Sequence, residues 1–215
     1  MSKESKIVSL IAIVFIIGFG LLIWKGQDIA GITPSVVDSK YLIRETSHTT
    51  GSRTAKVAMV EFGDYQCPAC AAVSPYLKEV SDHYVGNPDF TFVFRNFPLP
   101  QHANALISAE AAEAAGAQGK YFEMHHLLYE KQNEWAEVAN PLPIFEGYAK
   151  TIGLNVGKFS SEVNTKAYAS MIEADAKDGN AVNINHTPTV FINGLELKTY
   201  NPKEIIAIID ALLVK

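Results

Sequence analysis

The sequence predicts an α/β fold in which a block of helices interrupts a single β-sheet. The run Lys56–Phe62 has the apolar character of a buried strand, and an apolar pattern of helical period follows it. Phe90–Phe97 alternates and is rich in aromatic residues, which predicts a second strand. Strand, helix and strand at this spacing indicate a βαβ unit with parallel strands. Near the C-terminus, Thr189–Ile192 and Leu195–Lys198 flank Asn193-Gly194, a strong hairpin signal.

The N-terminal segment, residues 1–25, predicts a membrane anchor. Residues 7–24 carry no charge and only Ser9 as a polar side chain, which is near the lower length limit for a spanning helix. Lys3 and Lys6 favour a cytoplasmic N-terminus and an extracytoplasmic remainder. A cleaved signal peptide would have a shorter apolar core and a small-residue cleavage site, and the residues after Trp24 offer only a poor one. We therefore predict a single-pass, uncleaved anchor, with cleavage as the alternative.

The remaining chain divides into four predicted parts: 26–55, 56–100, 101–184 and 185–215. In the first part, residues 26–39 contain Gly26, Gly31 and Pro34 with little periodicity, which predicts a tether. The residues from 40 to 55 form a lead-in, in which Tyr41–Arg44 is either a short strand or a helical turn. His48 is predicted to be a solvated loop residue.

Four helices are predicted within residues 101–184, the inserted helical part. The first two span Ala103–Ala117, an alanine-rich stretch with glutamates on one side, and Lys120–Gln132. Pro141–Gly153 shows apolar residues at helical spacing with a glycine as its C-terminal cap. The fourth is marked by an apolar stripe consisting of Phe159, Val163, Ala167, Met171 and Ile172.

A last helix is predicted to follow the hairpin in residues 185–215. Asn201-Pro202 provides its start, because asparagine caps a helix and proline is tolerated in its first turn. Its predicted buried face consists of Ile205, Ile206, Ile209 and Leu212.

The charge balance argues against a nucleic-acid partner. The chain has 18 basic and 23 acidic residues and a net charge of −5. Beyond residue 25 there are 15 basic and 22 acidic residues, which gives −7 and leaves no basic cluster for phosphate contacts.

The two cysteines of the chain, Cys67 and Cys70, stand at C-x-x-C spacing between the first strand and its helix. This position favours redox chemistry. The first cysteine lies at the helix N-terminus, where backbone N–H groups and the helix dipole lower the pKa of its thiol. Pro68 suits the first helical position. A zinc site needs four ligands and the chain has no second cysteine pair, so His125-His126 would have to be brought there by the fold. A purely structural cysteine pair is the other alternative.

With these motifs the chain resembles the DsbA-like family of thioredoxin-fold proteins, in a membrane-anchored form. The resemblance covers roughly residues 40–215. It rests on the strand with Glu61, on Cys67-Pro68-Ala69-Cys70, and on Thr187-Pro188-Thr189 followed by a strand and Asn193-Gly194. It implies a thioredoxin fold with an inserted helical domain. It also implies that Pro188 is cis and faces the cysteines with Thr187, and that Glu61 lies buried beneath Cys70 and handles its proton.

The resemblance further implies a protein thiol:disulfide oxidoreductase without cofactor or metal. We expect a dithiol oxidase that forms disulfides in exported proteins through a Cys67–substrate mixed disulfide. A quinone-linked membrane protein is the expected reoxidant. The alternatives are a tethered reductase or isomerase, and a non-enzymatic chaperone or metal carrier.

One position departs from the strong oxidants of that family. They carry histidine beside the second cysteine, where this chain has Ala69. The loss of that donor should leave the thiolate of Cys67 less stabilised. His186, directly before Thr187, is the nearest candidate to compensate, with a solvent-facing loop side chain as the alternative.

Overall fold

A computed structural model describes residues 32–214, which form a six-stranded mixed sheet with helices packed around it. The strands are β1 Ile32–Val36, β2 His48–Thr49, β3 Val57–Gly63, β4 Phe90–Asn96, β5 Thr189–Ile192 and β6 Leu195–Leu197. The helices are α1 Ser39–Leu42, α2 Pro68–His83, α3 Ala105–Gly116, α4 Tyr121–Glu130, α5 Gln132–Trp135, α6 Leu142–Thr151, α7 Val156–Asn164, α8 Ala169–Ala181 and α9 Pro202–Leu213. The strand order is β1-β6-β5-β3-β4-β2.

The predicted βαβ unit is confirmed by β3, α2 and β4. The two strands are parallel, and Glu61 stands opposite Phe94. Every residue of β3 and β4 is buried. The apparent alternation in β4 is therefore not an inside–outside pattern, because helices cover both faces of the central sheet. Even Arg95 has no exposed surface.

The predicted tether and lead-in differ in part from their predictions. Residues 32–36, expected as part of a tether, form edge strand β1, and an edge strand is the position in a sheet where proline is tolerated. Of the two alternatives for Tyr41–Arg44, the helical turn is present as α1, which begins two residues earlier and ends at Leu42. His48 is not a solvated loop residue, since it lies in β2 at the opposite edge and its Nε2 is 2.7 Å from Glu113 Oε2.

The helical insertion is confirmed between β4 and β5, with one correction. The expected fourth helix is two helices, α7 and α8, because the chain turns at Lys166, whose φ of 53° is incompatible with a continuous helix. Ala167 in this turn is exposed, whereas Phe159, Val163 and Ile172 are buried as expected.

The insertion is held on the sheet by a buried polar network. Arg95 of β4 donates to Asp175 and Asp178 of α8, each at 2.7 Å. The side chain of Asn96 donates to Glu113 of α3 at 2.7 Å. These bonds fix α3 and α8 relative to β4, and charge-assisted bonds of this kind are stronger than neutral ones.

The predicted C-terminal hairpin and helix are confirmed, but the buried face of the helix differs in part from its prediction. The hairpin turns at Asn193 and Gly194, which both have positive φ, and the Asn201 side chain caps α9 by accepting from Lys203 N–H. The fully buried positions of α9 are Ile205, Ile208 and Ile209, whereas Ile206 and Leu212 are only partly buried.

Among the helices of residues 32–214, none combines the length and apolar composition that crossing a bilayer requires. The anchor predicted for residues 7–24 lies outside the residues that the structure describes.

Candidate active site

The two cysteines lie at the start of α2, as the sequence predicts. Cys67 is the residue before the first helical turn, in extended conformation, and Pro68 occupies the first turn. Cys67 is 7% exposed, Cys70 is 0% exposed, and both are free thiols. Pro68 and Ala69 between them are exposed. Only the first sulfur is therefore accessible to a second protein.

The environment of the pair separates the pKa values of the two thiols. The hydrogen bond from the Cys70 thiol lowers the pKa of Cys67 to about 5, with further contributions from Thr187 and from the backbone N–H groups of Cys70 and Ala69. Burial raises the pKa of Cys70 well above its usual range, and the contact with Cys67 and the charge of Glu61 add to it. Cys67 is thus a thiolate at neutral pH, while Cys70 keeps its proton.

The loop before β5 closes over Cys67. The Thr187–Pro188 peptide bond is cis, as the resemblance implies. The Cys67 thiol lies 3.5 Å from the Thr187 carbonyl oxygen, which accepts from it in the protonated form. The Thr187 hydroxyl is buried and has no partner in that form. The Thr187 side chain is nevertheless among the groups that lower the pKa of Cys67, because a hydroxyl near the sulfur favours its thiolate form.

Glu61 is fully buried in β3, and neither of its carboxylate oxygens has a hydrogen-bond partner. Burial raises its pKa to about 8, and the negative charge of Cys67 contributes further. Its charge in turn raises the pKa of Cys70. Glu61 is therefore a carboxyl group that can be protonated or ionised near neutral pH, beside the cysteine whose proton must move.

His186 does not take the place of the missing histidine in this geometry. Its side chain is exposed, and its Nδ1 is 2.9 Å from Asn185 Oδ1. The contacts that lower the pKa of Cys67 come instead from Cys70, Thr187 and the backbone N–H of Ala69. The helix N-terminus thus supplies what a side-chain donor at position 69 would have supplied.

The structure also reveals residues that the sequence did not indicate. Gln132 of α5 donates to the carbonyl oxygens of Tyr65 at 2.7 Å and Cys67 at 3.1 Å. Asp64 accepts from the backbone N–H of Gln66 at 2.8 Å and from that of Leu99 at 2.9 Å. These bonds immobilise the loop before Cys67. No local pattern could predict the bonds of Gln132 or the bond from Leu99 to Asp64, because those partners are far apart in the chain.

The zinc alternative has no support in the described residues. Within residues 32–214, no group of three or more histidine, cysteine or acidic side chains is arranged to hold a metal ion.

Comparison with known sequences identifies the family. The thioredoxin family model matches residues 44–211. Na(+)/H(+) antiporter NhaA 1 of Mycolicibacterium vanbaalenii is 31% identical over 218 residues, which cover 97% of this chain and 33% of that protein. The chain spans about a quarter to a third of the length of the curated relatives that it matches.

Comparison with solved structures gives the same fold. BdbD from Bacillus subtilis in its oxidised form has a TM-score of 0.71 at 23% identity, over 86% of this chain and 99% of that chain. The α-DsbA1 protein from Wolbachia pipientis has a TM-score of 0.69 at 21% identity, over 80% and 92% of the two chains. The chain belongs to the thioredoxin family, and its fold, with a helical insertion, is that of the DsbA-type thiol–disulfide oxidoreductases.

Proposed function

We propose that this chain is an extracytoplasmic thiol–disulfide oxidoreductase that acts as a dithiol oxidase on exported proteins. The carrying observation is the stabilised thiolate of Cys67, whose pKa is about 5. This thiolate exists only in the reduced protein, so its stabilisation favours the reduced form over the disulfide. A disulfide whose reduced form is stabilised is a strong oxidant.

The geometry assigns the two sulfurs different roles. A substrate thiolate attacks Cys67, the accessible sulfur of the Cys67–Cys70 disulfide, and Cys70 leaves as a thiolate. Glu61, protonated at neutral pH because its pKa is about 8, gives its proton to Cys70. A second substrate thiolate then attacks the substrate sulfur of the mixed disulfide. Cys67 leaves as a thiolate, the substrate gains a disulfide, and the two electrons remain on the reduced pair.

The low pKa of Cys67 assists the second step most directly. The better a thiolate is stabilised, the faster it leaves a mixed disulfide. Buried Cys70 is a poor competitor, because burial holds its pKa far above neutral pH. Release of an oxidised substrate is therefore favoured over return of the electrons to it.

The location is proposed from the N-terminal sequence. Residues 7–24 have the length and composition of a short membrane span, and Lys3 and Lys6 favour a cytoplasmic N-terminus. The match to the mycobacterial relative extends over 97% of this chain, and that relative carries the name of a membrane transporter. The antiporter name belongs to proteins of which this chain matches at most a third, so it carries no transport activity to this chain.

The proposed partners follow from the electron balance. Each turnover leaves two electrons on the cysteine pair, which a second redox protein must remove. For a membrane-anchored oxidase, a quinone-linked membrane protein is the proposed acceptor. The proposed substrates are exported proteins with cysteine pairs, because disulfides persist outside the cytoplasm.

The direction is tested by the reduction potential of the chain, purified in detergent and equilibrated with glutathione. A reduction potential of about −120 mV supports the oxidase, whereas a potential of about −270 mV assigns a reductase instead.

The enzymatic role is tested with Cys70→Ser in cells. We expect this variant to accumulate mixed disulfides between Cys67 and exported proteins. Cys67→Ser, which cannot form these mixed disulfides, is the negative control. If Cys70→Ser gives no more mixed disulfides than this control, a non-enzymatic role is favoured.

A further inference from the structure

Tyr129, on α4 of the helical insertion, has a buried hydroxyl without a protein partner. Its ring packs on Tyr65, with ring centroids 5.0 Å apart, and on Phe94 at 6.2 Å. Phenylalanine would make the same ring contacts. A buried hydroxyl costs free energy unless it finds a hydrogen bond, so the oxygen of Tyr129 requires an explanation of its own.

The position of this hydroxyl is defined by Gly63 of β3. A Cβ atom at Gly63 would lie 2.8 Å from the Tyr129 hydroxyl oxygen, so the absence of a side chain there makes room for it. Gly63 is two residues beyond Glu61 on the same strand. Alternate residues of a strand face the same side and lie about 7 Å apart. The Tyr129 hydroxyl therefore lies on the face of β3 that carries Glu61.

The carboxyl of Glu61 provides the complementary group. Both of its oxygens are buried and unpartnered. Burial raises the pKa of the Tyr129 phenol, and ionisation of Cys70 or Glu61 would raise it further, which places all three groups in one neighbourhood. Glu61 lines a cavity of about 340 Å³ and Tyr129 lines one of about 250 Å³, and the two cavities share Ser74, Lys78 and His126 in their lining. A water needs only two to four polar partners to occupy such a site.

We propose that the Tyr129 hydroxyl donates a hydrogen bond to the ionised carboxyl of Glu61, directly or through one water molecule. Tyr129 is then a positioning residue for the group that exchanges a proton with Cys70. This inference rests on the proposed function. A hydrogen bond to the ionised form favours that form, so Tyr129 strengthens Glu61 as a proton donor to the leaving thiolate and weakens it as an acceptor.

The relevant step is resolution of a mixed disulfide by Cys70. The Cys70 thiol gives its proton to ionised Glu61, and the resulting thiolate attacks Cys67. The Cys67–Cys70 bond forms, and the bound partner leaves as a thiolate with the two electrons. Because the step needs ionised Glu61, its rate rises with pH through the titration of that carboxyl. Loss of the hydrogen bond should move this titration to higher pH.

Other titratable groups surround Glu61 and are common to all variants. Cys70, Lys78 and Asp82 belong to α2, His125 and His126 belong to α4, and Cys67, Tyr65 and Tyr200 lie in the adjoining loops. A change confined to the Tyr129 variant can therefore be assigned to its hydroxyl.

The test compares Tyr129→Phe with Tyr121→Phe in the full chain in detergent. Tyr121 lies on the same helix, is also buried, and bonds to the Tyr65 hydroxyl at 3.3 Å. Each reduced protein is mixed with excess oxidised glutathione at pH 5 to 9.5, quenched in acid and alkylated, and the mixed disulfide is counted by mass spectrometry. We expect Tyr129→Phe to raise the midpoint of the pH–rate profile by about one unit, with about tenfold slower resolution on its acid limb. Tyr121→Phe should follow the wild type, and Glu61→Gln should lose the titration.

Superimposable profiles for Tyr129→Phe and the wild type would overturn the inference. A purely structural role would lower the free energy of unfolding and leave the midpoint unchanged, which also overturns it. If the wild type itself never resolves the glutathione disulfide, the inference fails because its proton-transfer step does not occur, whereas failure of the proposed function would be seen in the reduction potential.

Discussion

The Cys67 thiol lies 3.5 Å from the carbonyl oxygen of Thr187, the residue before cis-Pro188. The contact joins the N-terminus of α2 to a loop 120 residues later in the chain. It brings Thr187, whose buried hydroxyl has no hydrogen-bond partner, to the cysteine whose sulfur must carry negative charge.

We expect Thr187→Val to raise the pKa of Cys67 from about 5, because valine keeps the shape of threonine and removes a donor to the thiolate. Thiolate absorbance of the reduced protein, followed during acid titration, measures the midpoint.

Thr189→Val is the matched control. Thr189 is the first residue of β5, directly after this loop, and its hydroxyl donates to the His186 carbonyl oxygen at 2.8 Å. We expect this variant, and His186→Ala, to keep the wild-type midpoint. An equal midpoint in Thr187→Val would exclude the hydroxyl from the site.

Glu61→Gln should stabilise the oxidised protein increasingly as the pH rises. The folded-state pKa of Glu61 is raised to about 8 from a usual value near 4.5, chiefly by burial. Between these values the unfolded chain loses a proton that the folded chain keeps, so the wild type loses stability as the pH rises. Burial of Glu61 alone would make the gain in unfolding free energy from Glu61→Gln larger at pH 8 than at pH 4.5 by on the order of 3 kcal/mol.

Urea unfolding at pH 4.5 and pH 8 measures this difference in the oxidised form, where the cysteine thiols do not titrate. Glu79→Gln removes a carboxylate from the exposed face of α2 and serves as the control. If the gain from Glu61→Gln is the same at both pH values, Glu61 ionises in the folded protein as easily as in the unfolded chain.

Gln132→Ala should destabilise the protein by about 1 to 3 kcal/mol. It removes the donor shared by the Tyr65 and Cys67 carbonyl oxygens and leaves buried acceptors unsatisfied. Gln118→Ala, which loses two bonds to the backbone of Asn155 at the surface, should cost less. Equal losses in urea unfolding would show that water replaces Gln132 without penalty.

Arg95→Met should destabilise the protein by about 3 to 5 kcal/mol, because it leaves the buried carboxylate of Asp175 without its ion-pair partner and leaves Asp178 paired only with Arg44. Lys120→Met breaks an exposed pair with Glu123, and such pairs contribute about 0 to 1 kcal/mol. Thermal or urea unfolding compares the two. A loss for Arg95→Met no larger than that for Lys120→Met would mean that the network contributes little to stability.

Local sequence patterns predicted the parts of the site that lie close together in the chain. The strand before Cys67, the helix that begins at Pro68 and the hairpin at Asn193-Gly194 each carry their own signal in a few residues. Glu61, Thr187 and Pro188 were predicted from a family resemblance, and the structure places Thr187 at Cys67 and Glu61 where its charge raises the pKa of Cys70.

The errors concern interactions between distant segments. His48 looked like a loop residue because nothing near it in sequence reveals Glu113, its partner 65 residues away. Gln132 and Tyr129 gave no signal, because a glutamine or tyrosine in an amphipathic helix usually has no special role. The break at Lys166 was missed because the apolar spacing continues through it, while the backbone does not.

Residues 32–49, which include both edge strands, affect how a shortened chain would behave. Strands β1 and β2 occupy the two outer positions of the sheet, one beside β6 and the other beside β4. Unpaired strand edges pair with other chains and promote aggregation. Residues 32–49, which precede the catalytic motif, therefore cover both edges of the remaining sheet. A fragment that starts at residue 55 would keep every residue of the active site and still expose β4 and β6 to intermolecular pairing. Soluble expression therefore depends on retaining residues 32–49, although they contribute nothing to the chemistry.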